Sequence, residues 1–255
     1  MRGIRLSDRV IVAAPPGQGK TTLIEYIVWC LQPLRTVLID PKEAPELRHI
    51  RPIVRDVELL PEALRGAVCH WIPHDVEDRD DLAAGFEAIW ALHKHGPRVI
   101  WDDEAADTSK PGWIAPGAGK LIRRGRAWKQ LYIAGTQRLA ETAPVVRTQA
   151  EHIIALTPAP MDIDLDKLSQ HIGINPRQLK EMLDELHEEA GAHSHLWHVQ
   201  ATRETRRMVA CPPGPHWKTR RIQQAARAPD AEGQPAPTGA QEPSQPDREG
   251  LASGG

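Results

Sequence analysis

Apolar residues along the chain follow two alternating rhythms as far as about residue 160. Short, nearly unbroken apolar runs at 9–13, 36–39, 67–72, 98–101, 131–134 and 152–156 have the length of strands buried on both faces. Between them lie segments with 3.6-residue spacing. Residues 20–31 put Leu23, Ile24, Ile27, Val28 and Leu31 on one face and stop before Pro33. Residues 80–94 draw their apolar surface from Leu82, Phe86, Ile89, Trp90 and Leu92 and stop before Gly96-Pro97. Residues 120–130 read as a basic helix after a Gly/Pro-rich loop at 107–119. Strands alternating with helices predict an α/β fold with a mostly parallel sheet flanked by helices. Such sheets bind ligands beyond the carboxyl ends of their strands. The polar clusters 40–42, 102–104 and 135–138 all fall there.

The rhythm changes after Pro160. Two short helical patterns between 165 and 186 are broken at Gly173-Ile174-Asn175-Pro176, and apolar segments at 196–199 and 208–211 read as a hairpin. From about residue 223, Ala, Pro, Gly, Gln and Ser dominate with no apolar period, the composition of a disordered tail. The expected organisation is a core at 1–160, a helical and hairpin extension at 161–222, and a tail at 223–255. Leu165, Leu168, Ile172, Gly173, Leu179 and Leu183 have the spacing of a helix-turn-helix. The second of those helices is acidic and suits a phosphate-lined groove poorly, so the pair reads as a packing unit.

Composition narrows the setting. The formal net charge is −2, so any surface for nucleic acid has to be local. Three cysteines with no C-x-x-C fit a reducing, cytoplasmic location. No run approaches the roughly 20 apolar residues of a membrane span, and no signal peptide is evident, so no stable membrane insertion is expected.

The chemistry concentrates at two strand ends. The first run leads into Ala14-Pro15-Pro16-Gly17-Gln18-Gly19-Lys20-Thr21-Thr22 and then a helix, the layout of a phosphate-binding loop. The helix N-terminus adds free N–H donors and partial positive charge. Lys20 can reach β- and γ-phosphates, and the Thr21 hydroxyl can ligate Mg²⁺. Ala14 replaces the usual first glycine, and two prolines remove donors, so Gly17, Gln18, Gly19, Lys20, Thr21 and Thr22 should cradle the anion. The fourth strand ends in Asp102-Asp103-Glu104. Asp103 can position the metal and Glu104 can act as general base toward water, with Asp102 able to exchange roles with Asp103. His193, His195 and His198, with Cys211 and His216 nearby, read as strand histidines rather than zinc ligands, because His198 falls on the opposite face. Cys69, His70 and His74 read as structural.

The loop at 14–22, the ending Leu38-Ile39-Asp40-Pro41-Lys42, the pair Asp103-Glu104 and the block 125–138 occur in the order seen in the HerA/FtsK superfamily of P-loop ATPases, which this chain resembles. The resemblance covers about residues 8–160. It implies a RecA-like core with strand order 5-1-4-3-2, ATP and Mg²⁺ as cofactors, and a homo-oligomeric ring, hexameric or pentameric, acting on double-stranded DNA. Gln137 would sense the γ-phosphate. Arg126 would reach a neighbour's site in trans, with Arg123, Arg124 and Arg138 as rivals. In such a ring Lys110, Lys120, Arg123 and Arg124 either face a central pore or form a solvated loop and helix face; Arg203, Arg206, Arg207, Lys218, Arg220 and Arg221 read first as a solvated hairpin edge, with contact to DNA or a portal-like partner as the alternative. The chain lacks the N-terminal barrel of HerA helicases and the membrane segments of FtsK motors. It is therefore most like the minimal, tectivirus-like phage packaging ATPases, docking on a capsid portal or a membrane-pore protein. A Zot-type secretion or morphogenesis ATPase, a small-molecule kinase and a nucleotide-binding DNA regulator are the alternatives.

Overall fold

The computed structural model describes residues 3–211. His216, Lys218, Arg220, Arg221 and the expected tail at 223–255 lie outside the described residues. In chain order the elements are β1 (Arg9–Ala13), α1 (Lys20–Leu31), β2 (Thr36–Ile39), β3 (Ile53–Val54), α2 (Leu60–Ala63), β4 (Val68–Trp71), α3 (Arg79–Ala91), β5 (Arg98–Asp102), α4 (Ala105–Thr108), β6 (Ser109–Lys110), β7 (Trp113–Ile114), α5 (Pro116–Arg124), β8 (Gln130–Thr136), α6 (Pro144–Thr148), β9 (His152–Leu156), α7 (Asp162–Ile172), α8 (Pro176–Ala190), β10 (His195–Val199) and β11 (Glu204–Met208).

Among the described residues nine strands form one sheet in the order β11-β10-β9-β1-β8-β5-β2-β4-β3. Neighbours from β9 to β3 pair in parallel, and β10 and β11 add an antiparallel edge. Taken alone, β9, β1, β8, β5 and β2 stand fifth, first, fourth, third and second, the RecA-like order. The run expected at 67–72 is β4, which lies outside β2 and extends the sheet.

The unbroken apolar runs are explained by cover on both faces. Side chains alternate along a strand. Val10 and Val12 pack with Leu23, Ile24 and Ile27 of α1, while Ile11 and Ala13 join the core beneath α3 and α5. On that second face α3 and α5 cross closely, because Gly117 brings the backbones together; a Cβ there would lie 2.3 Å from the Phe86 carbonyl carbon. The helix pair α7 and α8 adds Leu165, Leu168, Ile172, Leu179, Leu183 and Leu186 to the same core. Their spacing thus serves packing. Among the described residues no helix is long and apolar enough to cross a membrane.

Three local expectations need correction. The basic helix expected at 120–130 begins at Pro116, ends at Arg124, and is followed by a 3-10 turn, Gly125–Trp128. Its end is set by Arg9, whose guanidinium donates to the carbonyls of Leu121, Ile122 and Gln130 at 2.8, 2.7 and 2.9 Å. The expected loop at 107–119 instead contains the end of α4, the β6–β7 hairpin and the first turn of α5. The last strand is Glu204–Met208 and not 208–211, because Met208 pairs with His195 and Glu204 with Val199. Being an edge strand, it carries polar residues where the apolar pattern had no signal.

Candidate functional site

Strand β1 delivers the glycine-rich loop to the carboxyl edge of the sheet. The Ala14 N–H donates to the Thr136 carbonyl at 3.1 Å, which ties the start of the loop to β8. Gly17 and Gly19 have φ of 74° and 81°, in the left-handed region that glycine enters without a Cβ penalty. This turn feeds α1, whose first turn has neither a capping side chain nor an acidic residue. Its N–H groups are therefore available to an anion. The loop lies on β8 at Gly135, where a Cβ would come within 2.6 Å of the Asp103 carbonyl oxygen and 3.1 Å of Lys20 Nζ.

Residues about eighty positions away meet this loop. Lys20 Nζ donates to the Asp103 carbonyl and lies 3.1 Å from the Asp103 carboxylate, and Thr21 Oγ1 is 3.1 Å from the same carboxylate. Asp103 is held by its own N–H on the Ile39 carbonyl at 3.0 Å and by the Trp101 indole N–H at 3.1 Å. Strand alternation turns Asp102 to the opposite face, where it is fully buried and accepts from Thr108 Oγ1 at 2.5 Å and Tyr132 Oη at 2.6 Å. Burial pushes its carboxyl up to about 7, against the pull of these two hydroxyls. The register between the two aspartates is thus resolved: Asp103 faces Lys20 and Thr21, and Asp102 does not.

Glu104 is 2% exposed and engaged at both oxygens. Oε1 accepts the Gln137 backbone N–H at 2.9 Å, and Oε2 accepts from Lys42 Nζ at 3.0 Å. Gln137 therefore reaches the cluster by its backbone. Arg138, the next residue, is turned to Glu141 at 2.7 Å and Asp164 at 3.7 Å. Arg126 lies elsewhere. It precedes β8, whose seven residues separate it from Gln137 by roughly 20 Å, and it is ion-paired with Glu151. Arg126 is thus remote from this chain's own phosphate loop. A cavity of about 180 Å³ beside the loop is lined by Gly19, Thr22, Leu23, Leu156, His193, Ala210 and Cys211.

The hydroxyl of Thr21 and the carboxylate of Asp103 are hard oxygen donors, and they suit Mg²⁺, which takes few protein ligands and completes its shell with water and phosphate. Among the described residues no three His, Cys, Asp or Glu side chains gather as a metal cage. His193 instead bonds the loop, with Nδ1 2.9 Å from the Gln18 carbonyl oxygen. His195 is buried and pushed down to about 4 by desolvation. His70 is buried against Asp40 at 3.1 Å, and burial pushes the Cys69 thiol up to about 12.

The glycine loop between β1 and α1, with an acidic strand end brought against its lysine and threonine in a mostly parallel sheet, defines a P-loop NTPase fold. Among solved structures the chain is similar to the genome packaging NTPase B204 of Sulfolobus turreted icosahedral virus 2. With the sulfate complex of that protein the TM-score is 0.66 at 17% identity, covering 83% of this chain and 100% of that one. With its ATP-gammaS complex the score is 0.64 at 17% identity, covering 81% and 99%. B204 from Sulfolobus turreted icosahedral virus, a DNA-packaging ATPase, gives 0.62 at 17%, covering 82% and 100%. The likeness is one of fold. No family profile matches the sequence, and no curated protein sequence is significantly similar to it.

Proposed function

We propose that the chain is a Mg²⁺-dependent ATPase of the HerA/FtsK type that drives double-stranded DNA into a capsid or between cells. The observation that carries this reading is the meeting of Lys20 and Thr21 with Asp103 at the carboxyl edge of the sheet, with Glu104 the next residue in the chain. Lys20 and the N–H groups of residues 17–22 bind the phosphates. Thr21 and Asp103 would hold Mg²⁺, which when bound offsets charge on the β- and γ-phosphates. Glu104 takes the proton of the attacking water. Gln137, bonded to Glu104 through its backbone, reports the γ-phosphate. The apolar cavity against Gly19 and Thr22 receives the base, so Leu156→Trp should weaken ATP about tenfold and leave inorganic tripolyphosphate unaffected; equal weakening of both contradicts that placement.

Arg126 stands at the edge of the sheet opposite the phosphate loop. Head-to-tail packing of identical subunits brings two unlike faces together and closes into a ring. That arrangement would deliver Arg126 to a neighbouring site, and Lys110, Lys120, Arg123 and Arg124 would follow the DNA backbone without reading sequence. The chain would work in the cytoplasm, docked on a portal or pore protein. The deciding experiment is the ATPase rate with and without linear duplex DNA, with the mass of the nucleotide-bound assembly. Stimulation together with a five- or six-subunit mass supports the motor. A DNA-independent rate favours a secretion ATPase, and a monomer transferring phosphate to a metabolite favours a kinase.

A further inference from the structure

Lys42 sits on the turn after β2, and that turn is fixed from beneath. The Asp40 carboxylate accepts the Ala44 N–H at 3.0 Å, and His70 Nε2 lies 3.1 Å from it, with His70 Nδ1 3.2 Å from the Ile50 carbonyl oxygen. Pro41 restricts the backbone between them. The result is a lysine whose ammonium stands 3.0 Å from Glu104 Oε2 and 3.8 Å from Asp107 Oδ2.

The two partners are unequally placed. The Lys42 side chain is 45% exposed and the Glu104 side chain 2%. Water therefore contributes little to the direction of the Glu104 carboxylate. Two donors from two strand ends set it instead: the Gln137 N–H on one oxygen and Lys42 on the other. A carboxylate has about four lone-pair sites, so both bonds leave a lone pair free on a defined line. A general base must present that lone pair to its water within hydrogen-bond reach.

Building on the reading of Glu104 as the general base, we infer that Lys42 is a positioning residue for it: the buttressed Asp40–Lys42 turn aims the carboxylate at the attacking water. Lys42 acts through Glu104 and not on the nucleotide.

The test is a double-mutant cycle on the full chain, using parent, Lys42→Met, Glu104→Gln and the double variant, with single-turnover ATP hydrolysis and calorimetric ATP binding. Lys42→Met should slow hydrolysis about tenfold or more while ATP affinity stays within about twofold. Lys42→Arg should recover most of the rate. In the Glu104→Gln background, Lys42→Met should cost less than about twofold, because its target is already gone. Unchanged ATP binding also reports that each variant is folded. A parent-like rate in Lys42→Met, or losses that multiply in the double variant, overturns the inference and leaves the base reading standing. A parent-like rate in Glu104→Gln overturns the base reading itself, and the inference with it.

Discussion

The two edges of the central sheet hold a buried cation each, Arg9 and Lys20, in opposite ways. At the amino edge, Arg9 is 2% exposed and donates to the carbonyls of Ser7, Asp8, Leu121, Ile122 and Gln130. Burial lowers its pKa to about 10, and that of Arg98, two strands away on β5, to about 10 as well. At the carboxyl edge, Lys20 and Lys42 are paired with the carboxylates of Asp103 and Glu104. A guanidinium locked on backbone carbonyls is a clamp, since those acceptors belong to the frame. The Lys20 ammonium can exchange its carboxylate for a phosphate oxygen, whereas Lys42 stays on Glu104. One sheet thus carries a structural edge and an edge with the candidate site, and a buried cation, Arg9 or Lys20, marks each.

The largest contrast should come from removing one cation at each edge. Lys20→Ala should abolish nucleotide turnover, by about a thousandfold or more, while the melting temperature moves by only a few degrees. Arg9→Met should do the reverse. It strands the carbonyls that end α5, costing about 3 kcal/mol or more in denaturant unfolding, with turnover per folded molecule near the parent value. Matching losses of stability in both variants would erase the distinction between the edges.

A smaller effect separates buried titratable groups that serve packing from those at the site. Desolvation holds His195 at about 4, below its ordinary 6.5, and its Nε2 has no hydrogen-bond partner among the described residues. Between those values the unfolded chain binds a proton that the native protein does not. Stability from this group is therefore present above about pH 6.5 and declines as the pH falls toward 4. His195→Leu should flatten that part of the unfolding profile, by a few kcal/mol at most. Parallel profiles for parent and variant would show that the imidazole does not titrate this way.

The candidate site at the carboxyl edge was far more legible in the sequence than its surroundings. Lys20, Thr21, Asp103 and Glu104 stand out because a glycine loop between strand and helix and an acidic strand end are local patterns. The strands with both faces covered were legible because both faces are apolar. The edge strand β11 was not, since Thr205, Arg206 and Arg207 offer no apolar period, and β3 is only two residues long. The sequence left Asp102 and Asp103 interchangeable, because strand alternation decides between them only once a face is known. The contact of Lys42 with Glu104, 62 positions apart, depends on the Asp40–His70 pair and left no local trace. The end of α5 depends in the same way on Arg9, more than a hundred residues earlier.

The central claim is that Lys20, Thr21, Asp103 and Glu104 form one site for ATP hydrolysis. Its most direct test is ATP binding and turnover measured side by side for Glu104→Gln and Lys20→Ala. The account predicts that Glu104→Gln binds ATP within about twofold of the parent but hydrolyses it about a hundredfold more slowly, while Lys20→Ala is inactive. Parent-like turnover by Glu104→Gln beside an inactive Lys20→Ala would contradict it.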